Sequence, residues 1–168
     1  AALATSESAI YGRQIDIAIA DFLVRAKSAV DAGQDLKEVV LEELRINRGI
    51  GGFGRPINRS AADERNAIVL SIAKRENLAD GPFVKLAFAI EDILLSGRWR
   101  LRMNYAVIAA SLALDLGLSP REYYLYSLPA FLAGMTPCYI ESVQRPEQAT
   151  MPLRCAAIVY QGPPRRTW

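Results

Sequence analysis

From Ile15 to Val30 the apolar residues Ile15, Ile19, Phe22, Ala26 and Val30 recur every three or four positions, a spacing that only a helix gathers onto one face. Asp16, Asp21, Arg25 and Lys27 fall mostly elsewhere, so the segment Ser8 to Val30 reads as an amphipathic helix stopped near Gly33. The same period returns along the chain. Asp35 to Leu44 turns Leu36, Val39, Val40 and Leu44 inward and leaves Glu38, Glu42 and Glu43 as a solvated face. Ala61 to Glu76 and Pro82 to Leu95 make two more helices, the second with proline at its first position and a stripe of Phe83, Leu86, Ala87, Ile90 and Leu94 ended near Gly97. Both stripes read as core. No stretch alternates with period two and no internal repeat is present, so the fold class is all-α.

Met103 to Leu116 is apolar on most faces and rich in alanine, which places it in the middle of the molecule. Ser119, Pro120 and Glu122 combine an N-cap, a first-position proline and an N3 glutamate, so another helix starts there. Around Pro129, Gly134 and Pro137 its pattern is expected to break or kink before resuming towards Glu141. From Arg145 to the end, prolines at 146, 152, 163 and 164 predict an extended tail, residues 145–168, lying across the body or a partner.

Between the second and third helices runs Gly51 to Arg65, GGFGRPINRSAADER. Glycines allow backbone angles and close approaches that a Cβ forbids, and Pro56 has a fixed φ. Ser60 and Asp63 stand at capping-box spacing before the apolar run of Ala67, Ile68, Leu70 and Ile72, so a helix N-terminus with free N–H groups would follow the loop. Such an end attracts anions, and Arg55, Arg59 and Arg65 beside it offer forked donors to phosphate or carboxylate oxygens. The alternative is a plain glycine turn followed by a capped helix.

At 168 residues the chain has one domain's length. A net charge of +2 gives no nucleic-acid footprint. The apolar run Tyr105 to Leu114 is far short of the roughly 18 residues a membrane span needs, and no leader pattern opens the chain, so a cytoplasmic protein is the expectation. Cys138 and Cys155 are too few and too far apart for a disulfide framework or a zinc site, and reduced, partly buried thiols are expected. There is no histidine. Histidine-based hydrolysis and histidine metal sites are thereby excluded, leaving carboxylates, tyrosine, lysine and cysteine for any chemistry.

These segments, in this order, resemble the C-terminal part of the citrate synthase and citryl-CoA lyase superfamily. Its members carry Gly-Phe-Gly-His-Pro, a basic residue three places later, and then Asp-Pro-Arg; here Gly52, Phe53, Gly54, Arg55, Pro56, Arg59, Asp63, Glu64 and Arg65 stand at that spacing. Leu78 with Gly81, the Phe83 to Leu95 helix, Asn104 with the alanine-rich helix to Asp115, Leu116 and Gly117, and the ending Arg154, Tyr160, Gly162, Pro163 are similar to the family's small domain. The resemblance implies a single citrate-synthase-like helical domain over 1–168 that binds an acyl-CoA thioester and a small dicarboxylate, without metal, nucleic acid or membrane. It also implies a dimer, homodimeric or paired with a paralogue. Coenzyme A contacts fall to Gly52, Phe53, Gly54, Arg55, Arg59, Asp63 and Arg65, with Arg154 and Arg165 or Arg166 as carboxylate-binding arginines. The family's N-terminal third has no counterpart here, so the chain is expected to be a fragment or to rely on a partner for that layer.

The catalytic positions differ from the family pattern. Where the family places a histidine, an aspartate and a second histidine, this chain has Tyr11, Ala106 and Arg55. Alanine cannot take the α-proton of a thioester, and losing a base typically costs about 10²- to 10⁴-fold. Tyr11 and Arg55 can still donate to an oxyanion. Asp115 is out of helical phase with Ala106, and Phe131 and Cys138 stand where the family's next helix is polar. Three readings stay open: an acyl-CoA or carboxylate binder without ordinary catalysis, a lyase or acyltransferase with rearranged residues, and a structural helical subunit.

Overall fold

The computed structural model describes residues 13–54 and 62–146. Six helices are described: α1 (Gln14–Asp31), α2 (Leu36–Asn47), α3 (Glu64–Arg75), α4 (Pro82–Ser96), α5 (Tyr105–Asp115) and α6 (Pro120–Gln144). An isolated antiparallel bridge, Phe53 to Met103, is the extended pairing among the described residues.

Local signals set most helix starts. Asp35 caps α2 by accepting from Glu38 N–H, and Pro82 occupies the first turn of α4. Asn104 caps α5, and Ser119 with Glu122 forms a complete capping box on α6. α3 differs from the expected capping box. Its N-cap is Asp63, not a residue three earlier, and Ser60 lies outside the described residues.

α5 is the central helix, packed against α1, α3, α4 and α6. Val107, Ile108 and Ala110 are fully buried in it, and the buried Ser111 hydroxyl donates to Val107 O at 2.8 Å. Ile19, Phe22 and Leu23 of α1 and Leu86, Ile90 and Leu94 of α4 join them in one core. α3 packs against α5 alone among the described helices. Its Ile68 and Ile72, read from sequence as core, are therefore exposed, while Ala73 is buried.

Two further expectations are corrected. α6 runs unbroken through Pro129, Gly134 and Pro137. Each proline strips a donor from the carbonyl four residues earlier, but this part of α6 is exposed, so those carbonyls meet solvent. Cys138 is exposed and free, not partly buried. At the C-terminal end, Arg145 caps α6 with extended backbone angles. Residues 147–168, which carry Cys155, most of the predicted tail and the arginines at 154 and 165, lie outside the described residues.

Candidate functional site

The glycine loop is stitched to the segment that leads into α5. Gly54 N–H donates to Arg102 O at 2.6 Å, Asn104 N–H donates to Gly52 O at 2.8 Å, and the Asn104 amide reaches Gly54 O at 3.3 Å. Met103 N–H is held by Glu91 at 2.8 Å, and Met103 O by the Asn66 amide at 3.1 Å. Gly52 needs its glycine twice over. Its φ is +83°, and a Cβ would stand 2.6 Å from Val107 of α5. Packing therefore accounts for this glycine without a ligand. Phe53 is buried in the core.

Asp63 is the knot of the site. Its side chain is fully buried and accepts Arg65 Nε at 2.9 Å, an Arg65 terminal nitrogen at 2.6 Å, Arg65 N–H at 3.2 Å and Tyr105 N–H at 2.9 Å. The Arg65 hydrogen bond, opposed by burial and helped by the two backbone donors, holds the carboxyl well below the usual aspartate range. The free helix N-terminus expected after the loop is thus occupied by the protein's own carboxylate. That carboxylate also takes two faces of Arg65, whose guanidinium stacks 5.1 Å from the Tyr105 ring.

Ala106 lies in the first turn of α5, half-buried, with its N–H bonded to the Asn104 side chain at 2.9 Å. No carboxylate of α5 substitutes for it. Asp115 sits at the opposite end of the helix, where its two oxygens accept Phe83 N–H at 2.8 Å and Val84 N–H at 3.0 Å and so cap α4.

Sequence reasoning missed a second buried polar group, at the start of α1. Asp16, read as outward-facing, is buried, and burial pushes its carboxyl up to about 6 against the lowering effects of a Ser127 hydrogen bond and the Arg13 charge. Arg13 is buried as well. It donates to Ser127 Oγ at 3.2 Å and to Tyr124 O, and lies 4.0 Å from the Tyr124 ring. Tyr123, buried beside them, has its hydroxyl pushed well above the usual range by burial and by the neighbouring Asp16 and Tyr105. The signal that could have found this group is polarity: Arg13 and Asp16 fall within one turn of the Tyr11 segment that the family pattern singles out.

The structure therefore brings together the glycine loop and the turn that carries Ala106 through Gly52, Phe53, Gly54, Asp63 and Arg65. Tyr11, Arg55, Arg59, Arg154 and Arg165 lie outside the described residues. Phe131 is half-buried on α6 and Cys138 is exposed on it. A groove of about 440 Å³ lies elsewhere, lined by Leu70 and Lys74 of α3 and Val84, Lys85, Phe88 and Asp92 of α4. No group of His, Cys, Asp and Glu among the described residues is arranged to hold a metal ion. No described helix is long and apolar enough to cross a membrane.

No protein-family model matches the chain, and no curated protein does. Among solved structures, the citryl-CoA lyase of Hydrogenobacter thermophilus is similar to it, with a TM-score of 0.62 at 17% identity over 99% of this chain and 69% of the other. What the two share at that identity is the all-helical, citrate-synthase-like fold.

Proposed function

We propose that the chain is a citrate-synthase-like subunit that binds an acyl-CoA thioester or a small dicarboxylate beside the glycine loop and does not carry out ordinary citrate synthase or citryl-CoA lyase catalysis. The observation that carries this reading is the turn at Ala106. The fold brings the glycine loop, Asp63 and Arg65 to the first turn of α5, where a base is needed, and an alanine stands there with its N–H already bonded to Asn104. The fold likeness to a citryl-CoA lyase supports a CoA ester as the ligand class. In this reading Arg55 and Arg59 supply the anion contacts and Arg154 and Arg165 clamp carboxylate, in a homodimer or with a paralogous partner.

The test is calorimetric titration of the purified chain with acetyl-CoA, CoA and a small oxo-dicarboxylate, repeated with Arg55→Ala and Arg59→Ala. Binding that weakens in both variants is the expected result. Ordinary turnover of citrate or citryl-CoA by the pure chain would overturn the non-catalytic part.

Asp63 favours a second reading, a structural helical subunit. Asp63 already holds two nitrogens of the Arg65 guanidinium and the backbone N–H groups of Arg65 and Tyr105, donors that a ligand carboxylate would use. Blank titrations with a folded sample would select this reading over the first.

A further inference from the structure

α3 and α4 follow each other in the chain without packing together, and each rests on α5 instead. The groove of about 440 Å³ lies between them, from the connector at residues 76–81 towards the other end of both helices. Its floor is apolar. Val84 is buried, Leu70 is half-buried and Phe88 is 39% exposed, so part of a phenyl ring faces water in the groove. Its rim is charged, and the charges are sorted by sign. Lys74 in the last turn of α3, Lys85 in the first turn of α4 and Asp80 between them stand at the connector end, which leaves one net positive charge there. Asp92 stands at the other end, about 10 Å further along α4 than Lys85 at 1.5 Å per residue. None of these four side chains has an ion pair or hydrogen bond among the described residues, whereas Arg25, Lys27 and Arg45 each hold a carboxylate.

We propose that this groove binds a short zwitterionic peptide with apolar side chains, its carboxylate between Lys74 and Lys85, its ammonium at Asp92 and its side chains over Leu70, Val84 and Phe88. Charge and size select that ligand. A fatty chain would set its uncharged end against Asp92. A polyphosphate would meet one net positive charge and no arginine, the side chain that grips phosphate by a fork. Two turns of a partner helix, about 10–12 Å across, occupy roughly twice the volume of the groove, which is of small-ligand size. An extended tripeptide spans about 10 Å from amine to carboxylate at 3.3–3.6 Å per residue, and it carries one charge of the required sign at each end. Exposed charge pairs are weak, so recognition divides between the two ends and the apolar floor. No described residue of the glycine loop lines this groove. The proposal is therefore independent of the reading above, and a failed CoA titration leaves it standing.

The test is calorimetric titration of the full chain with the tripeptide Leu-Leu-Leu, with its N-acetylated and C-amidated forms, and with decanoate. The free tripeptide is expected to bind saturably, and each blocked form about fivefold more weakly. Lys85→Ala is expected to weaken the free tripeptide by a similar factor and to leave the C-amidated form little changed. Asp92→Asn should do the same for the N-acetylated form, since each pair of changes removes one contact. Circular dichroism follows helix content, and where a variant loses it the blocked peptides on the unaltered chain decide. No saturable binding at millimolar peptide, equal binding of free and blocked forms, or full affinity in both folded variants would overturn the proposal. So would decanoate binding as tightly as the tripeptide, which would mean that the groove takes an acyl chain and does not read the second charge.

Discussion

Asp63 Oδ2 accepts the backbone N–H of Tyr105 at 2.9 Å while its partner oxygen accepts Arg65 N–H, so one carboxylate caps α3 and α5 together. Removing it unpairs two helix donors at a buried carboxylate and releases the exposed guanidinium of Arg65 to solvent. Asp63→Ala is expected to cost about 2–4 kcal/mol of stability, read by urea unfolding. Asp63→Asn, which keeps an acceptor and loses the charge, should cost less. Because the folded carboxyl titrates below its ordinary value of 3.8, its contribution is complete above that pH and is lost as pH falls below it. An Asp63→Asn variant should lack that acid loss, and an unchanged acid limb would remove Asp63 from this role.

Asp16 works in the opposite sense. Its folded value of about 6 lies above the ordinary 3.8, so the native state binds the extra proton between those values and stability falls as pH rises from 3.8 to about 6, then levels off. The total is up to about 3 kcal/mol at 1.4 kcal/mol per unit. Asp16→Asn should abolish this slope and stabilise the chain above pH 6, because the amide carries no charge to desolvate. Unfolding free energies across that range decide it, and a slope that survives in the asparagine variant would show that another group causes it.

Gly52 and Val107 share too little space for one more carbon. Gly52→Ala places a Cβ 2.6 Å from Val107 Cγ2 and forces alanine to a φ of +83°. A loss of about 2–4 kcal/mol is expected from the clash and the left-handed backbone combined. Val107→Ala has a cavity cost of its own, but in that background Gly52→Ala should add only the backbone part, about 1–2 kcal/mol. If the double variant is worse than Gly52→Ala by the full cost of a buried valine, the clash is not the cause.

Gly81 and Asp115 meet at the start of α4. A Cβ on Gly81 would lie 2.0 Å from Asp115 Oδ2 and 2.8 Å from its Cβ, although φ at Gly81 is an ordinary −64°. Asp115→Ala should cost about 1–2 kcal/mol as a lost cap. Gly81→Ala should cost at least a similar amount by pushing the same carboxylate away, and the double variant should cost less than the two losses summed, since both remove one cap and only the contact between the two Cβ atoms persists. Additive losses in thermal or urea unfolding would contradict that account.

Helix positions were largely legible in the sequence because their signals are local. Asp35, Ser119 with Glu122, and Pro82 each act on N–H groups within three residues, and the three-and-four spacing of Ile19, Phe22 and Ala26 selects a face without reference to the rest of the chain. The glycine loop was also visible, as an irregular stretch between two periodic ones. Its chemical meaning was not, because Asp63 finds Tyr105 at a separation of 42 residues and Gly52 finds Val107 across the core.

Which charges are buried was likewise decided by packing. Asp16 alternates into the outward set of α1 on a helical wheel, but α6 crosses that side with Tyr123 and Ser127 and turns it into an interior. Ile68 and Ile72 follow the reverse course, apolar in pattern and exposed in fact, because α3 has α5 as its one described neighbour. Periodicity determined that this protein is a set of helices with defined caps. Only the tertiary structure decided which apolar faces are covered, which carboxylates are desolvated and which helix ends are already filled, since burial belongs to the neighbours of a residue and not to the residue itself.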